Sequence, residues 1–181
     1  AKLFWDKQKQ QNGIIKNHDF IAFDEIQTIT FQEPAEIQAA LKSYLESGKT
    51  TIDNQEFSSE CGLMLMGNIP LSADKLPISN RYFDNLPGNF CESALLDRFH
   101  CFIEGWKLPR INTSMIFKGW TINVEYFSEI MHTMRTQTIY NQMYDELVIA
   151  PNTDMRDSKA VKRIATAYMK LLFPHWRSME D

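Results

Sequence analysis

Two adjacent carboxylates, Asp24 and Glu25, follow directly on a run of four apolar residues, Phe20–Phe23. An apolar run of this length predicts a strand buried on both faces, since such a strand need not alternate. The pair would then lie at the C-terminal edge of an α/β sheet, where ligands bind. Carboxylates there can hold a divalent cation and can orient or deprotonate an attacking water. The alternative is a strand that ends in a solvated acidic turn, and the hexapeptide alone leaves both interpretations open.

Three polar residues further along the chain could complete a phosphate-processing site. Asn68 follows a second apolar strand, Leu63–Met66, where an amide could hold the attacking water or sense a γ-phosphate. Arg98 ends a short helix or turn over Ala94–Phe99, from which a guanidinium could reach the nucleotide of a neighbouring subunit. Arg156 precedes the last predicted helix and could face the same phosphates.

Each of these residues also has an ordinary structural interpretation, which is favoured when the residue is considered by itself. Asn68 could cap a turn, and Arg156 could be solvated. Arg98 could pair with Asp97 or Glu92. In this order and on these elements, however, the residues together favour an ATPase whose two strand-tip carboxylates form a Walker B element.

A helix and a hairpin are predicted between the two apolar strands. Pro34 suits the first position of a helix, and Gly48 is a natural stop after Ser47. Lys49–Glu60 then predicts a β-hairpin that turns at Asp53-Asn54. The predicted helix has one apolar face, which comprises Ile37, Ala40, Leu41, Tyr44 and Leu45.

The rest of the chain predicts a third short strand, a break and a helical lobe. Cys101–Ile103 is expected to form the strand, and Gly105–Pro109 the break. We expect a helix over Val124–Thr138 and a last helix that Ser158 caps and Pro174 ends. The predicted buried faces of these helices comprise Phe127, Ile130, Met131 and Met134 in the first, and Val161, Ile164, Ala165, Tyr168, Leu171 and Leu172 in the second.

Composition is ordinary for a soluble globular chain, with 44% hydrophobic and 23% charged residues among 181. No apolar run approaches the length of a membrane span and no secretion signal opens the chain, so we expect a cytoplasmic location without membrane contact. Three cysteines without paired spacing are expected to stay reduced. The net charge of −4 gives no global attraction to nucleic acid. A basic cluster is expected to be the solvated face of the last helix; it comprises Lys159, Lys162, Arg163 and Lys170.

Several segments together resemble the AAA+ fold, in the branch that holds Lon proteases and the minichromosome maintenance helicases. More narrowly, they resemble the ATP-dependent Lon protease family that includes the Lon-like protein of BREX phage-defence systems. The resemblance covers nearly the whole chain. The segments that carry it are Phe23–Ile26, Tyr44–Gly48, Met66–Ile69, Ala94–His100, Gly105–Pro109, Arg156-Asp157, Ala160-Val161 and Lys170–Pro174.

The resemblance implies a role for each candidate residue. Asp24 would hold Mg²⁺ and, with Arg156 as sensor 2, bind ATP. Glu25 would be the catalytic Walker B glutamate, Asn68 sensor 1 and Arg98 the arginine finger. The Lys49–Glu60 hairpin would be the pre-sensor-1 insertion that faces the pore of a ring, although Lys49 is its one cation. The implied partners are further copies of the same protein, in a hexameric ring, and a protein or DNA substrate.

A phosphate-binding loop is not recognisable in the sequence. The one Gly-Lys-Thr, at Gly48, lacks the glycine five residues earlier, where Ser43 stands. The expected fold is therefore a partial P-loop-type α/β core with a parallel sheet that lacks its phosphate-loop strand, over residues 1–108, and a small helical lid with sensor 2 over 109–181. We expect the chain to be a piece of a longer protein, with the phosphate loop before Ala1 and a Ser-Lys proteolytic domain after Asp181.

The favoured function is part of an ATP-hydrolysing ring motor that remodels or translocates protein or DNA, with the piece alone inactive for lack of its phosphate cradle. A protease in the strict sense is not supported, since no Ser-Lys context is identifiable in the chain. The alternative is a non-enzymatic DNA-binding or oligomerisation module in phage defence. The presence of all five candidate residues argues against a relic, because decay would be free to remove them.

Overall fold

Two compact units make up the chain: a core unit, residues 1–107, and a helical unit, residues 108–181. The computed structural model describes residues 2–31, 33–147 and 154–178. The core unit mixes strands and helices and contains a small parallel sheet, so the predicted α/β class is confirmed. Its strands are β1 (Trp5–Asp6), β2 (Gln11–Asn12), β3 (Phe20–Phe23), β4 (Lys49–Ile52), β5 (Gln55–Ser58) and β6 (Gly62–Leu65), and its α-helices are α1 (Ile14–Asn17), α2 (Pro34–Ser47) and α3 (Ser93–Leu96).

The two apolar strands, β3 and β6, lie side by side and run parallel. Their register pairs Phe20 with Gly62 at one end and Phe23 with Leu65 at the other. Parallel neighbours need a long crossover connection. Here α2 and the β4–β5 hairpin lie between them in the chain.

Strand β3 is less buried than its composition predicted. Phe20 is 59% exposed, and Ala22 is also exposed, whereas Ile21 and Phe23 pack against the core. In the described part of the chain β3 pairs only with β6, and the core covers one face of that pair. The prediction of burial on both faces was therefore wrong for this chain.

Helix α2 forms as predicted and supplies much of the core. Gly48 takes a left-handed conformation, with φ of 73°, and its N–H donates to the carbonyl of Tyr44, which ends the helix. The Tyr44 hydroxyl is buried and donates to the carbonyl of Cys61 at 2.7 Å. The buried core that α2 joins comprises Leu3, Phe4, Ile15, Ile26, Ala40, Leu41, Tyr44, Ile52, Phe57, Cys61, Phe90 and Leu95.

The predicted hairpin is confirmed in strands β4 and β5, which pair antiparallel. Asp53 and Asn54 both have positive φ, 51° and 60°, as a type I′ turn requires. Lys7 reaches this turn from the β1–β2 hairpin, with its Nζ 2.7 Å from Asp53 Oδ1. That hydrogen bond raises the pKa of Lys7 above its ordinary value.

The third predicted strand, Cys101–Ile103, is absent, so that prediction was wrong. Phe102 instead stacks on Tyr82, with ring centroids 5.7 Å apart, and meets Phe83 edge-on at 5.4 Å. The segment is therefore held by ring contacts, and its backbone does not join a strand ladder in the described residues. Apolar residues in a short run gave the strand signal, but aromatic packing satisfies them equally well.

The helical unit contains α4 (Val124–Arg135), α5 (Ile139–Leu147) and α6 (Met155–Leu172). Its small core comprises Met134, Tyr140 and Met143, and the Tyr140 hydroxyl donates to the carbonyl of Phe173 at 2.8 Å. Ile130 and Met131 pack against this core as predicted, but Phe127 is 42% exposed. None of the described helices is long and apolar enough to cross a membrane.

Helix α6 corrects two predictions. It begins at Met155 with Asp154 as its cap, because the Asp154 carboxylate accepts the N–H of Arg156 at 3.1 Å. Ser158, the predicted cap, lies inside the helix. The predicted apolar face is largely exposed: Val161, Ile164, Tyr168, Leu171 and Leu172 are 36–65% exposed. The helix turns Thr166 and Met169 inward instead, because contacts with α5 and the small core set its orientation.

Candidate functional site

The ladder between β3 and β6 continues past the last residues of both strands. The N–H of Met66 donates to the carbonyl of Phe23 at 2.8 Å, and the N–H of Ile26 donates back to the carbonyl of Met66 at 3.0 Å. Ile26 is fully buried, so the turn that follows β3 is fixed to the core. Backbone hydrogen bonds thus hold the two strand tips together.

Three of the five predicted site residues lie at this edge, which we call the strand-tip edge: Asp24, Glu25 and Asn68. Asp24 and Glu25 follow the last residue of β3, and Asn68 lies two residues beyond Met66. All three are exposed. The parallel register therefore brings the predicted carboxylates and amide to the C-terminal edge, where ligands bind in such sheets.

Glu25 has a left-handed backbone, with φ of 49° and ψ of 45°. Its N–H donates to Asp24 Oδ1 at 2.8 Å, and its carbonyl accepts both the N–H and the hydroxyl of Thr28, at 2.8 and 2.9 Å. A residue other than glycine pays roughly 1–2 kcal/mol for this conformation. Such conformations concentrate at functional sites, where the surrounding structure enforces them.

Gln27 is a residue of this edge that sequence reasoning missed. It lies in the short 3-10 helix Ile26–Thr28, and its side-chain Oε1 accepts the N–H of Asn68 at 3.4 Å. The only signal in the sequence was its position two residues after Glu25. A turn of unknown geometry does not reveal where that side chain points.

The strand-tip edge offers the oxygen ligands that Mg²⁺ prefers, but few of them. Asp24 Oδ1 already accepts the N–H of Glu25. No group of three histidine, cysteine, aspartate or glutamate side chains suited to a metal occurs among the described residues. Mg²⁺ usually takes one or two carboxylates, and substrate phosphates and waters complete its shell. The edge fits a metal that arrives with a nucleotide better than a metal held by protein alone.

Arg98 does not point to solvent; it packs against α2. Its side chain is 16% exposed, and its Nε lies 3.2 Å from Glu46 Oε2, with an angle that is not that of a hydrogen bond. Its Nη1 donates to the carbonyl of Ala94. Glu92, which sequence reasoning offered as a partner, instead binds Lys42 at 2.9 Å. In this structure Arg98 is thus committed to an internal ion pair.

Arg156 lies in the first turn of α6, in the helical unit, and is exposed. Its backbone N–H is bonded to the cap residue Asp154. The side chain therefore extends from the start of a capped helix, which is a fixed position within its own unit.

The Gly-Lys-Thr sequence lies where an α-helix gives way to a hairpin. Gly48 is the left-handed stop of α2, Lys49 begins β4, and Thr50 is buried, with 7% exposure. A phosphate loop runs from a strand into a helix. This tripeptide instead follows a helix and begins a strand, so it does not form a phosphate loop.

The basic cluster of α6 is not simply a solvated face. Lys162 Nζ lies 2.5 Å from Asp145 Oδ1 on α5, and Lys170 Nζ donates to the carbonyl of Arg135 at 3.0 Å. Lys162 and Lys170 are thus bound within the helical unit. This arrangement weakens the case for a phosphate-binding surface on that face.

Comparison with known proteins supplies the family context for this geometry. The family described as "Lon-like protease BrxL-like, ATPase domain" matches residues 1–181. The Lon-like protease BrxL of Escherichia coli O9:H4 (strain HS) is 27% identical over 174 residues, which cover 96% of this chain and 25% of that protein. The Lon-like protease BrxL of Bacillus cereus (strain H3081.97) is 28% identical over 182 residues, covering 100% of this chain and 27% of that protein. The chain thus spans about a quarter of the length of these curated relatives.

Proposed function

Because the chain belongs over its whole length to the BrxL-like ATPase-domain family, we propose that it forms the water-activating side of an ATP site in a ring motor. The observation that carries the proposal is the parallel register of β3 and β6, which places two carboxylates and an amide on one exposed edge. The phosphate-binding loop would be supplied by sequence outside these residues.

The proposed division of labour follows from the chemistry of each side chain. Asp24 would hold Mg²⁺, which neutralises phosphate charge when it is bound with ATP. Glu25 would orient the attacking water and accept its proton. Asn68 would hold the same water or sense the γ-phosphate from the neighbouring strand. Fixed backbone at the strand tips suits this task, because positioning is most of what a phosphoryl-transfer enzyme contributes.

Glu25→Gln in the full-length protein tests this proposal. The amide keeps the shape of the side chain but cannot accept the proton, so we expect ATP binding to persist while turnover falls about 10²- to 10⁴-fold. Glu129→Gln is the matched control, since Glu129 is an exposed glutamate in α4. Unchanged turnover in Glu25→Gln would remove Glu25 from the role of base.

We propose further that Arg98 acts on the nucleotide of a neighbouring subunit. Here Arg98 is paired with Glu46, so this role requires the guanidinium to exchange a carboxylate for phosphate oxygens. An arginine finger of this kind contributes about 10³- to 10⁵-fold to turnover. The purely structural alternative is an ion pair that fastens the segment just after α3 to α2.

Mixing two inactive variants separates these alternatives. Glu25→Gln subunits would supply Arg98, and Arg98→Ala subunits would supply Glu25. A ring with a finger acting across the interface recovers hydrolysis in the mixture, whereas each variant alone stays inactive. Absence of recovery, with both variants folded and assembled, would contradict the ring proposal. Arg156, proposed as sensor 2, would act on the nucleotide bound by its own subunit, as Glu25 would. Subunits with Arg156→Ala should therefore not restore hydrolysis when they are mixed with Glu25→Gln subunits.

Residues 1–181 alone should bind Mg-ATP weakly, because a phosphate loop supplies most of the backbone donors and the lysine that grip the phosphates. Isothermal titration of this chain with Mg-ATP checks the expectation, and micromolar affinity would contradict it. We propose that the full-length protein couples hydrolysis to movement of protein or DNA. Salt-dependent binding of DNA by the full-length protein would favour DNA as the substrate.

A further inference from the structure

We propose that Gln27 is a positioning residue that sets Asn68 relative to the two carboxylates. This inference rests on the proposed function of the strand-tip edge. The backbone ladder between the tips reaches Met66, whose carbonyl accepts the N–H of Ile26. Asn68 lies beyond that point, and its own N–H is accepted by Gln27 Oε1. The side chain of Gln27 therefore extends the ladder to the residue that would hold the water.

Gly67 provides a second, independent indication that the loop carrying Asn68 is built to lie close to Gln27. A Cβ built on Gly67 would lie 3.1 Å from Ile26 Cγ2 and 3.3 Å from Gln27 Oε1. Both distances are tighter than ordinary van der Waals contact. The absence of a side chain at position 67 thus lets the segment after β6 lie close to the turn after β3.

The length of the Gln27 bond suggests what the contact does. At 3.4 Å it exceeds the usual 2.7–3.2 Å range and adds little to stability. Gln27 also links the turn that carries Glu25 to the loop that carries Asn68, so a shift in the position of the turn would move the loop. Its loss should therefore slow turnover without unfolding the core.

Two variants of the full-length protein separate an acceptor from a packing role. Gln27→Met keeps the length of the side chain and removes the oxygen, and Gln27→Glu keeps the oxygen. We expect Gln27→Met to lower kcat about tenfold with KM for ATP changed less than about twofold, and Gln27→Glu to recover most of the rate. Gln8→Ala, an exposed glutamine between β1 and β2, should leave both constants unchanged.

Amide hydrogen exchange in nucleotide-free protein gives a readout independent of activity. Exchange of the Asn68 amide should quicken about tenfold or less in Gln27→Met and stay near wild type in Gln27→Glu. Gly67→Ala, which crowds the same oxygen, should quicken it too. Equal Asn68 exchange and equal kcat in Gln27→Met and wild type would overturn the inference while Glu25→Gln still stops hydrolysis. Unchanged turnover in Glu25→Gln would instead overturn the proposed function, and the exchange result would then decide the Gln27 contact alone.

Discussion

The strand-tip edge and the Arg98 contact are both parts of the core unit, but they are built in different ways. At the strand-tip edge, buried Ile26 and backbone hydrogen bonds fix the main chain, while the carboxylates of Asp24 and Glu25 stay exposed. At the Arg98 contact the proposed functional side chain itself is bound, because Glu46 lies 3.2 Å from its Nε.

This difference separates stability from chemistry. At the strand-tip edge, the bonds that join the two strand tips are between backbone groups, so loss of the Glu25 or Asn68 side chain should register mainly in turnover. At the Arg98 contact, one side chain would serve both purposes if the proposed finger role holds, so its loss should register in stability as well. Predictions about the two regions therefore differ in kind, and each can be broken by experiment.

The largest effect on stability is expected from Ile26→Ala, which removes the buried anchor of the strand-tip edge. Ile26 is fully buried, and truncation of such a residue costs about 2–5 kcal/mol through lost transfer energy and the cavity left behind. Ile78→Ala is the matched control, since Ile78 is 68% exposed and should cost less than about 0.5 kcal/mol. Urea denaturation measures both. Equal costs would show that the edge is not anchored by Ile26.

Glu46→Gln should have the second-largest effect, because it leaves the partly buried guanidinium of Arg98 without its charge partner. Arg98 is 16% and Glu46 35% exposed, so we expect a loss of about 1–2 kcal/mol in the free energy of unfolding. Glu104→Gln is the control: its partner Lys107 is 66% exposed, and such a pair contributes about 0–1 kcal/mol. A cost for Glu46→Gln no greater than that of Glu104→Gln would remove the distinction drawn for the Arg98 contact.

What the sequence could predict follows the same division. The strand tips, α2 with its Gly48 stop, and the Asp53-Asn54 turn were predictable because local residue chemistry and periodicity determine them. The strand-tip placement of Asp24, Glu25 and Asn68 needed only that two apolar strands run parallel.

The predictions that were wrong concern features that depend on contacts between side chains distant in the sequence. Glu46 as the partner of Arg98 is 52 residues away, and no local rule selects it over nearer carboxylates. The prediction of the buried face of α6 was wrong, because contacts with α5, and not the apolar stripe of α6 itself, determine how the helix is oriented. Cys101–Ile103 has the composition of a strand, but Phe102 packs against the rings of Tyr82 and Phe83 instead of joining a sheet.

Glu25→Asn should sharpen the comparison, because it separates strain from chemistry at one residue. Asparagine adopts the left-handed conformation readily. We therefore expect the free energy of unfolding of Glu25→Asn to be about 0.5–1 kcal/mol higher than that of Glu25→Gln. Both variants should lose hydrolysis to the same extent, since neither side chain can serve as the base. Equal stability of the two would show that the φ of 49° carries no strain.

Asp53→Asn should have the smallest effect, and it tests an ion pair that, unlike the Arg98 contact, is open to solvent. Asparagine also tolerates the positive φ of 51°, so the turn should persist. The Asp53 carboxylate raises the pKa of Lys7, so its stabilising contribution is present below the ordinary lysine pKa and is lost as pH rises through the raised value. In Asp53→Asn the Lys7 pKa should fall towards its ordinary value with stability at neutral pH nearly unchanged, as followed by NMR titration of ¹³C-labelled lysine. Glu56→Gln, on the same hairpin, should leave the Lys7 titration unchanged. A Lys7 pKa that is the same in Asp53→Asn and wild type would mean that this contact does not persist in solution.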